Sequence, residues 1–195
     1  MFLKCLYKLM NLYKQKLYYQ IIGFVRAYPL IITISPFFAY FLTNNTDLLL
    51  LSISLMLNDI LNGYLKNYIF YPLMKDKRWF ILGQGKRPKG AKNSGIFLEP
   101  NAKLSTSYGM PSGHSQGAAF FSTYTILHLL ESSINTEIKI IGSILFSCLA
   151  VGIMYSRVYL GCHTKQQVIM GGLIGTILGF YYYKNKEIIK QNIFS

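Results

Sequence analysis

Two short motifs place a histidine beside residues that bind phosphate. The first reads Tyr-Gly-Met-Pro-Ser-Gly-His over 108–114, and the second reads Ser-Arg, five further residues and a histidine over 156–163. Because histidine titrates near neutral pH, one of a pair can attack phosphorus while the other protonates the leaving oxygen. Arginine holds phosphate oxygens in a fixed fork. The motifs therefore predict phosphoryl transfer, with His163 attacking and His114 protonating.

Each motif lies at the end of an apolar segment long enough to cross a bilayer. The chain has 195 residues, of which 52% are hydrophobic and 14% charged, whereas a soluble domain carries about 25% charged residues. A membrane helix needs about 20 mostly apolar residues. We therefore expect one all-α domain over 1–195, a polytopic transmembrane helix bundle with about five spans. The predicted spans are 20–43, 47–68, 114–130, 138–155 and 166–183.

The basic residues favour a membrane and a phosphorylated lipid as partners. Residues 1–19 carry Lys4, Lys8, Lys14 and Lys16 and are too charged for the core of a signal peptide. They are predicted to form an N-terminal interfacial helix on the bilayer surface. A net charge of +13 would suit nucleic acid in a soluble protein. Here the basic residues cluster between apolar runs, which favours anionic headgroups and excludes nucleic acid from the expected partners.

The predicted helices also suggest how the motifs are positioned. The backbone amides of residues 112–115 begin a predicted helix, which favours phosphate binding there. Gly171 and Gly175 form a small-xxx-small face that permits close helix packing. Asp59 is costly in an apolar span unless it is paired, with Lys66 or Arg157 as the expected partners.

The motifs resemble the signature of the type 2 phosphatidic acid phosphatase superfamily, which reads K-x6-RP, PSGH and SR-x5-H-x3-D. Residues 111–114 match the second element, 156–163 match the third as far as its histidine, and 87–88 match the end of the first. The resemblance covers about 58–175, the expected catalytic core. It implies a phosphatase that needs no metal or cofactor, with His163 as nucleophile and His114 as general acid. The phosphate-binding residues that it implies are Arg87, Ser112, Gly113 and Arg157.

The first element of this signature is incomplete. Its lysine is expected seven residues before Arg87, where Phe80 stands instead. Lys66 is the better candidate for the phosphate-binding lysine, which requires an insertion of about 14 residues, because 21 residues rather than seven separate it from Arg87. Lys86 is the weaker candidate.

The third element departs from the signature at Gln167, where the superfamily usually has aspartate. One helical turn places Gln167 beside His163, so its side-chain carbonyl can orient the ring without adding charge. A narrower resemblance includes this glutamine: residues 58–66, 108–116 and 156–168 are similar to dolichyl diphosphatases. That subfamily implies conversion of a polyprenyl diphosphate to its monophosphate at the lumenal face of the endoplasmic reticulum. Dolichyl enzymes usually have glutamate where Asp59 stands and lack the insertion.

Three other functions remain open at this stage. They are a phosphatidate or general lipid phosphate phosphatase, a lipid phosphotransferase, and a non-catalytic lipid-binding membrane protein. The side of the membrane is open too. The long loop over 70–112 shares a side with the basic N-terminus, so the positive-inside rule places it in the cytosol. The dolichyl resemblance implies the lumen.

Overall fold

The computed structural model describes the backbone of residues 2–92 and 104–194 and the side chains of residues 11–92 and 104–192. This part of the chain confirms the predicted all-α bundle. The helices are α1 (Phe2–Thr43), α2 (Thr46–Tyr64), α3 (Tyr71–Met74), α4 (Gly113–Glu131), α5 (Thr136–Tyr159), α6 (Lys165–Lys184) and α7 (Lys186–Phe194). A π-helical turn, Leu65–Phe70, joins α2 to α3. An antiparallel hairpin of β1 (Arg78–Trp79) and β2 (Gly83–Gln84) follows.

Three stretches of the described chain are long and apolar enough to cross a bilayer, judged by length and composition: Asn11–Thr43, Thr46–Met74 and Thr136–Tyr159. They contain three of the predicted spans. The other two predicted spans correspond to α4 and α6, with 19 and 20 residues. These two helices pack closely against each other, and α4 also contacts α1, α2 and α5. Because neighbouring helices cover much of their surface, α4 and α6 can carry the glycines and polar residues that lower their hydropathy.

The first helix runs without interruption through the predicted boundary at residue 20. Residues 11–21 are exposed, as a segment outside the bundle would be, but they continue directly into the first span. Pro29 and Pro36 lie inside α1. Thr33 Oγ1 donates to the carbonyl of Pro29 at 2.8 Å. The side chains of Lys4 and Lys8 lie outside the described part of the chain, and the interfacial placement of 1–19 stays a prediction.

Glycine sets the close contact between α4 and α6. A Cβ added at Gly175 would strike the backbone carbonyl of Gln116, and one added at Gly179 would come within 2.6 Å of the carbonyl of Phe120. Gly171 meets the backbone of Ser112 in the same way. The predicted small-xxx-small face is confirmed, and it extends one turn further to Gly179. This packing fixes the first turn of α4 against the first turn of α6.

The segment between α2 and α4 is anchored by a small buried cluster rather than lying free. Phe70, Met74, Tyr108 and Met110 form its core. The Tyr108 ring packs edge-on against Tyr71, with 5.4 Å between centroids, and its hydroxyl donates to the Lys75 carbonyl at 3.1 Å. The described residues on the two sides of this segment, 65–92 and 104–112, are therefore packed together between the end of α2 and the start of α4.

Candidate active site

A cavity of about 580 Å³ lies between α1, α2 and α4 and reaches the turn that joins α5 to α6. We call it the site cavity. Five of the predicted site residues line it: Lys66, Arg87, Gly113, His114 and His163. The other three, Ser112, Arg157 and Gln167, do not line it and are fully buried. Residues from four distant parts of the sequence therefore converge on one space.

The turn that carries His163 is tightly hydrogen-bonded. The amides of Cys162 and His163 both donate to the carbonyl of Arg157, at 3.0 and 3.1 Å. Gly161 adopts a φ of 65°, a left-handed conformation that glycine accepts without strain. This turn explains the five-residue spacing of the motif, because it folds His163 back onto the end of the helix that bears Arg157.

Two hydrogen bonds define the tautomer of His163. Its Nδ1 lies 3.0 Å from Gln167 Oε1, and its Nε2 lies 3.0 Å from Arg87 Nη1. Since a guanidinium can only donate, Nε2 must carry the lone pair and Nδ1 the proton. Burial, together with the positive charges of Arg87 and Lys66, lowers the pKa of His163 to about 2. The ring is therefore neutral, and its nucleophilic nitrogen faces the arginine that binds it.

Gln167 does more than orient the histidine. Its Nε2 donates to the carbonyls of Gln84 at 2.9 Å and Lys86 at 2.8 Å, with a longer contact to Gly85 at 3.3 Å. Its Oε1 also accepts from the Thr164 amide as half of the capping box of α6. These partners fix which end of the amide is oxygen. The same side chain therefore holds His163 and the loop that leads to Arg87.

Arg87 joins that loop to the turn of His163. Besides His163, its Nη1 donates to the Cys162 carbonyl at 3.1 Å. Its Nε donates to the Ser107 carbonyl at 3.2 Å, and its Nη2 donates to Ser107 Oγ at 2.9 Å. Arg157 differs, because it is fully buried and all three guanidinium nitrogens have no partner in the described structure. An unpaired buried cation is costly, so an anion is the natural partner of Arg157.

Lys66, and not Lys86, lies in the site cavity. Lys66 stands in the π-helical turn, and its Nζ lies 3.8 Å from where a Cβ would stand on Gly113. Lys86 is exposed and paired with Asp76 at 2.5 Å. Phe80, at the expected lysine position, is fully exposed. The insertion forms α3 and the hairpin, which bridge the 21 residues between Lys66 and Arg87.

His114 and Ser112 stand at the start of α4 but are already engaged. His114 Nε2 lies 3.3 Å from the carbonyl of Arg26, so this nitrogen is the donor. The Ser112 amide donates to the Gln167 carbonyl at 3.0 Å, and Ser112 Oγ accepts from Ser115 Oγ at 2.9 Å. A helix does begin here, as predicted, but the N–H of Ser112 is already used by the start of α6 and does not face a phosphate.

The polar residues of α2 have two different surroundings. Gln116 joins Asn62 and Asn58, accepting from Asn62 Nδ2 at 2.8 Å and donating to Asn58 Oδ1 at 2.9 Å. Asp59 is exposed along the site cavity. Within the described residues it makes no ion pair shorter than 4.0 Å. The expected pairing of Asp59 with Lys66 or Arg157 is therefore wrong as a direct contact.

Sequence reasoning missed two participants. Gln116 carries the hydrogen bonds between α2 and α4. It ends the 108–116 stretch that resembles dolichyl diphosphatases, but no role was predicted for it. Arg26 lines the site cavity from α1. The available signal was a charge inside an apolar span, which marks functional sites in membrane proteins. Over the described residues, no cluster of three or more His, Cys, Asp or Glu side chains is arranged to hold a metal ion.

Comparison with known proteins matches residues 47–189 to the family model of the PAP2 superfamily. Dolichyldiphosphatase 1 of Dictyostelium discoideum is 45% identical over 86 residues, covering 43% of this chain and 38% of that protein. Dolichyldiphosphatase of Saccharomyces cerevisiae is 27% identical over 176 residues, covering 87% of this chain and 66% of that protein. The chain thus spans less than two thirds of the length of either relative.

Among solved structures, the fold is similar to the crystal structure of a transmembrane PAP2 type phosphatidylglycerolphosphate phosphatase from Bacillus subtilis. The TM-score is 0.62 at 24% identity, and the match covers 88% of this chain and 78% of that one.

Proposed function

The chain belongs to the PAP2 superfamily, and we propose that it is a metal-independent membrane phosphatase that converts a polyprenyl diphosphate to its monophosphate. The observation that carries this proposal is the site cavity. It brings two histidines and the cations Lys66 and Arg87 to one end of a space whose other end is apolar. A phosphate headgroup with a hydrocarbon tail fits that division. The relatives named dolichyldiphosphatases support the polyprenyl class.

The proposed reaction begins at His163 Nε2. On binding, the terminal phosphate takes over the Arg87 hydrogen bond that now covers this nitrogen. Nε2 attacks the terminal phosphorus, and the bond between this phosphorus and the bridging oxygen breaks, so that the oxygen leaves as part of the lipid monophosphate. Gln167 holds the Nδ1 proton and the ring plane through both steps. Water then cleaves the phosphohistidine and releases inorganic phosphate. Lys66, Arg87 and Arg157 stabilise the negative charge of the transferring group.

His114 is proposed to protonate the leaving oxygen, which requires its Nε2–H to turn from the Arg26 carbonyl to the substrate. This role separates substrate classes. A diphosphate releases a phosphate monoester, which leaves readily without a proton. Phosphatidate releases an alkoxide, which needs one. We therefore expect His114→Ala to slow phosphatidate hydrolysis far more than diphosphate hydrolysis. Equal losses on both substrates would argue against His114 as the general acid.

The apolar spans make the chain an integral membrane protein, and we propose the endoplasmic reticulum, or an equivalent internal membrane, as its location. The second candidate function is a general lipid phosphate phosphatase. It is favoured by the similarity to lipid phosphate phosphatase gamma of Arabidopsis thaliana, 41% identical over 80 residues, which cover 40% of this chain and 35% of that protein. A non-catalytic lipid-binding role is disfavoured by the neutral, oriented nucleophile at His163.

The test is phosphate release by detergent-solubilised protein with EDTA present. The substrates are a polyprenyl diphosphate, phosphatidate and a soluble phosphate ester. We expect the diphosphate to have the highest kcat/KM. His163→Ala should abolish both turnover and phosphoenzyme trapping. A faster reaction with phosphatidate would favour the second candidate, and no release from any substrate would favour the lipid-binding role.

A matched pair of lysine variants tests the split first motif. Lys66→Gln removes the ammonium inside the site cavity, whereas Lys86→Gln removes one that is exposed and paired with Asp76. We expect Lys66→Gln to lower kcat/KM by about 10- to 100-fold, the scale of a charge-assisted contact to phosphate. Lys86→Gln should stay within about twofold of wild type, because exposed ion pairs contribute little. The reverse order would assign the motif lysine to Lys86.

A further inference from the structure

Arg26 is a cation in the site cavity that none of the proposed steps at His163 requires. Its Nε and Nη1 atoms are buried and have no hydrogen-bond partner in the described structure. It makes no ion pair shorter than 4.0 Å with a described carboxylate. Arg26 as a whole is only partly buried, but an arginine with buried, unpaired nitrogens weakens a fold, most of all within an apolar span. Its position in the site cavity suits it to bind an anion.

The depth of Arg26 in the bundle identifies which anion it meets. Its own carbonyl accepts from His114 Nε2 at 3.3 Å, so it lies level with the first turn of α4. Beyond it on α1 the lining residues are Pro29, Leu30, Ile32 and Thr33, which are mostly apolar and lie one to two helical turns further along the helix axis. Arg26 therefore stands at the boundary between the polar end and the apolar end of the cavity.

The second wall of the cavity changes polarity in the same direction. The helix α2 runs towards the histidines. Its lining residues pass from Leu55 and Met56 through Asn58, Asp59 and Ile60 to Asn62 and finally Lys66, so one carboxylate, that of Asp59, also lines this wall. Both helices thus grade from apolar to polar towards His163. A lipid with its terminal phosphate at His163 would place the next phosphate, the one attached to the hydrocarbon tail, at the level of Arg26.

We propose that Arg26 binds the inner phosphate of a lipid diphosphate and so selects diphosphates over monophosphates. This inference rests on the proposed function and names its specificity-determining residue. When His163 Nε2 forms a bond to the terminal phosphorus, the bond between that phosphorus and the bridging oxygen breaks. The electron pair stays on the bridging oxygen, which becomes part of the lipid monophosphate. Arg26 stabilises the charge that builds up on this leaving phosphate. A lipid monophosphate has no second phosphate at that position, so its hydrolysis does not depend on Arg26.

The experiment compares a polyprenyl diphosphate with the polyprenyl monophosphate of the same chain length, in detergent and EDTA. Arg26→Gln should lower kcat/KM for the diphosphate by about 10- to 100-fold, the scale of a charge-assisted hydrogen bond, and change the monophosphate by less than about threefold. Arg26→Lys should recover part of the loss, because it keeps the charge but not the fork. Arg78→Gln, on the exposed strand β1, is the matched control for net charge and should leave both substrates unchanged.

Inhibition by small anions gives a readout without a lipid tail. Wild type should bind pyrophosphate more tightly than orthophosphate, and Arg26→Gln should remove most of that difference. Thermal unfolding separates binding from a structural role. Because Arg26 Nε and Nη1 have no hydrogen-bond partner among the described residues, Arg26→Gln should keep or raise the unfolding temperature. A lower unfolding temperature with equal losses on both substrates would mean that Arg26 supports the fold, and it would overturn the inference.

The failure of this inference and the failure of the proposed function give different results. If wild type hydrolyses phosphatidate but not the diphosphate, the proposed function fails whatever Arg26 does. If wild type prefers the diphosphate and Arg26→Gln keeps that preference, only the role of Arg26 fails.

Discussion

Gln167→Ala tests whether one amide both orients the nucleophile and holds the loop next to it. The substitution removes the acceptor of the His163 Nδ1 proton, 3.0 Å away. It also removes the donor to the Gln84 and Lys86 carbonyls, at 2.9 and 2.8 Å. The Gly85 carbonyl loses less, because the amides of Gly109 and Met110 already donate to it at 3.0 Å. The variant therefore has two separate defects, one in the ring and one in the loop.

The two defects have different magnitudes and different readouts. Loss of a partner that orients a reactive histidine costs about 10- to 100-fold in activity, or about 1.4–2.7 kcal/mol in activation free energy. Two carbonyls left without donors cost about 1–3 kcal/mol each if they stay buried. Lys86 is exposed and Gln84 is partly exposed, so water can reach this loop, and we expect the lower end, about 2 kcal/mol. That loss lowers the unfolding temperature by about 4–8 °C in a chain of this size and leaves the protein folded.

Steady-state kinetics and thermal unfolding, measured on the same preparation, check this prediction. In Gln167→Ala we expect kcat to fall, because the His163 ring is less well oriented. KM should rise as well, because the loop carrying Arg87 loosens. Gln167→Glu is the matched control: it retains an oxygen for Nδ1–H but turns a second oxygen towards two carbonyls. It should lose less kcat than the alanine variant and at least as much thermal stability. Unchanged kcat in Gln167→Ala, or normal stability in Gln167→Glu, would refute the double role.

Three further predictions concern packing, pH and membrane sidedness. Gly175→Ala should lower stability by about 1–3 kcal/mol, because its Cβ strikes helix backbone, whereas Gly152→Ala, with nothing within 4 Å of the added Cβ, should be neutral in the same melting assay. Burial lowers the pKa of His163, so its neutral form persists as the pH falls. The enzyme should therefore show no loss of kcat/KM near pH 6.5 that is the same for two substrates whose phosphates have different pKa values. A loss at the same pH for both substrates would mean that the nucleophile titrates there. Membrane sidedness is tested with single-cysteine variants that lack the native cysteines, in sealed microsomes treated with an impermeant thiol reagent. If the catalytic loop is lumenal, the reagent should label Ser133→Cys directly but Lys89→Cys only after permeabilisation. The opposite result would support the cytosolic placement given by the positive-inside rule.

The helix bundle could be predicted where bilayer thickness and caps determine it. The predicted spans 138–155 and 166–183 became Thr136–Tyr159 and Lys165–Lys184. Both helices begin at polar caps, where Asn135 and Thr164 accept from backbone amides of the first turn. The end of α2 could not be predicted in the same way. After Tyr64 the helical chain continues through the π-helical turn and the short α3 as far as Met74. A single π-helical turn is too short to show in the sequence as a hydrophobic period different from that of an α-helix.

The convergence of the site residues was predictable from the motifs, but their supporting contacts were not. The π-helical turn and the hairpin place Lys66 and Arg87 on one cavity, although the insertion breaks the usual spacing. The partners of the Gln167 amide are main-chain carbonyls 81–83 residues away. Any residue type supplies such a carbonyl, so no sequence pattern marks it. The sequence identifies side chains that do chemistry, whereas the folded chain supplies the backbone that orients them.

The contacts of Gln167 also explain why glutamine suits this position in this chain. A carboxylate has no donor, so it would leave the Gln84 and Lys86 carbonyls facing an anion in a partly buried space. An amide satisfies the histidine with its oxygen and the loop with its nitrogen. The neutral partner also adds no negative charge beside the cations Lys66, Arg87 and Arg157, and Asp59 is the one described carboxylate that lines the site cavity. A site with that much positive charge is matched to a more highly charged headgroup than a monophosphate. The replacement at Gln167 and the unpaired Arg26 therefore point the same way, towards a diphosphate.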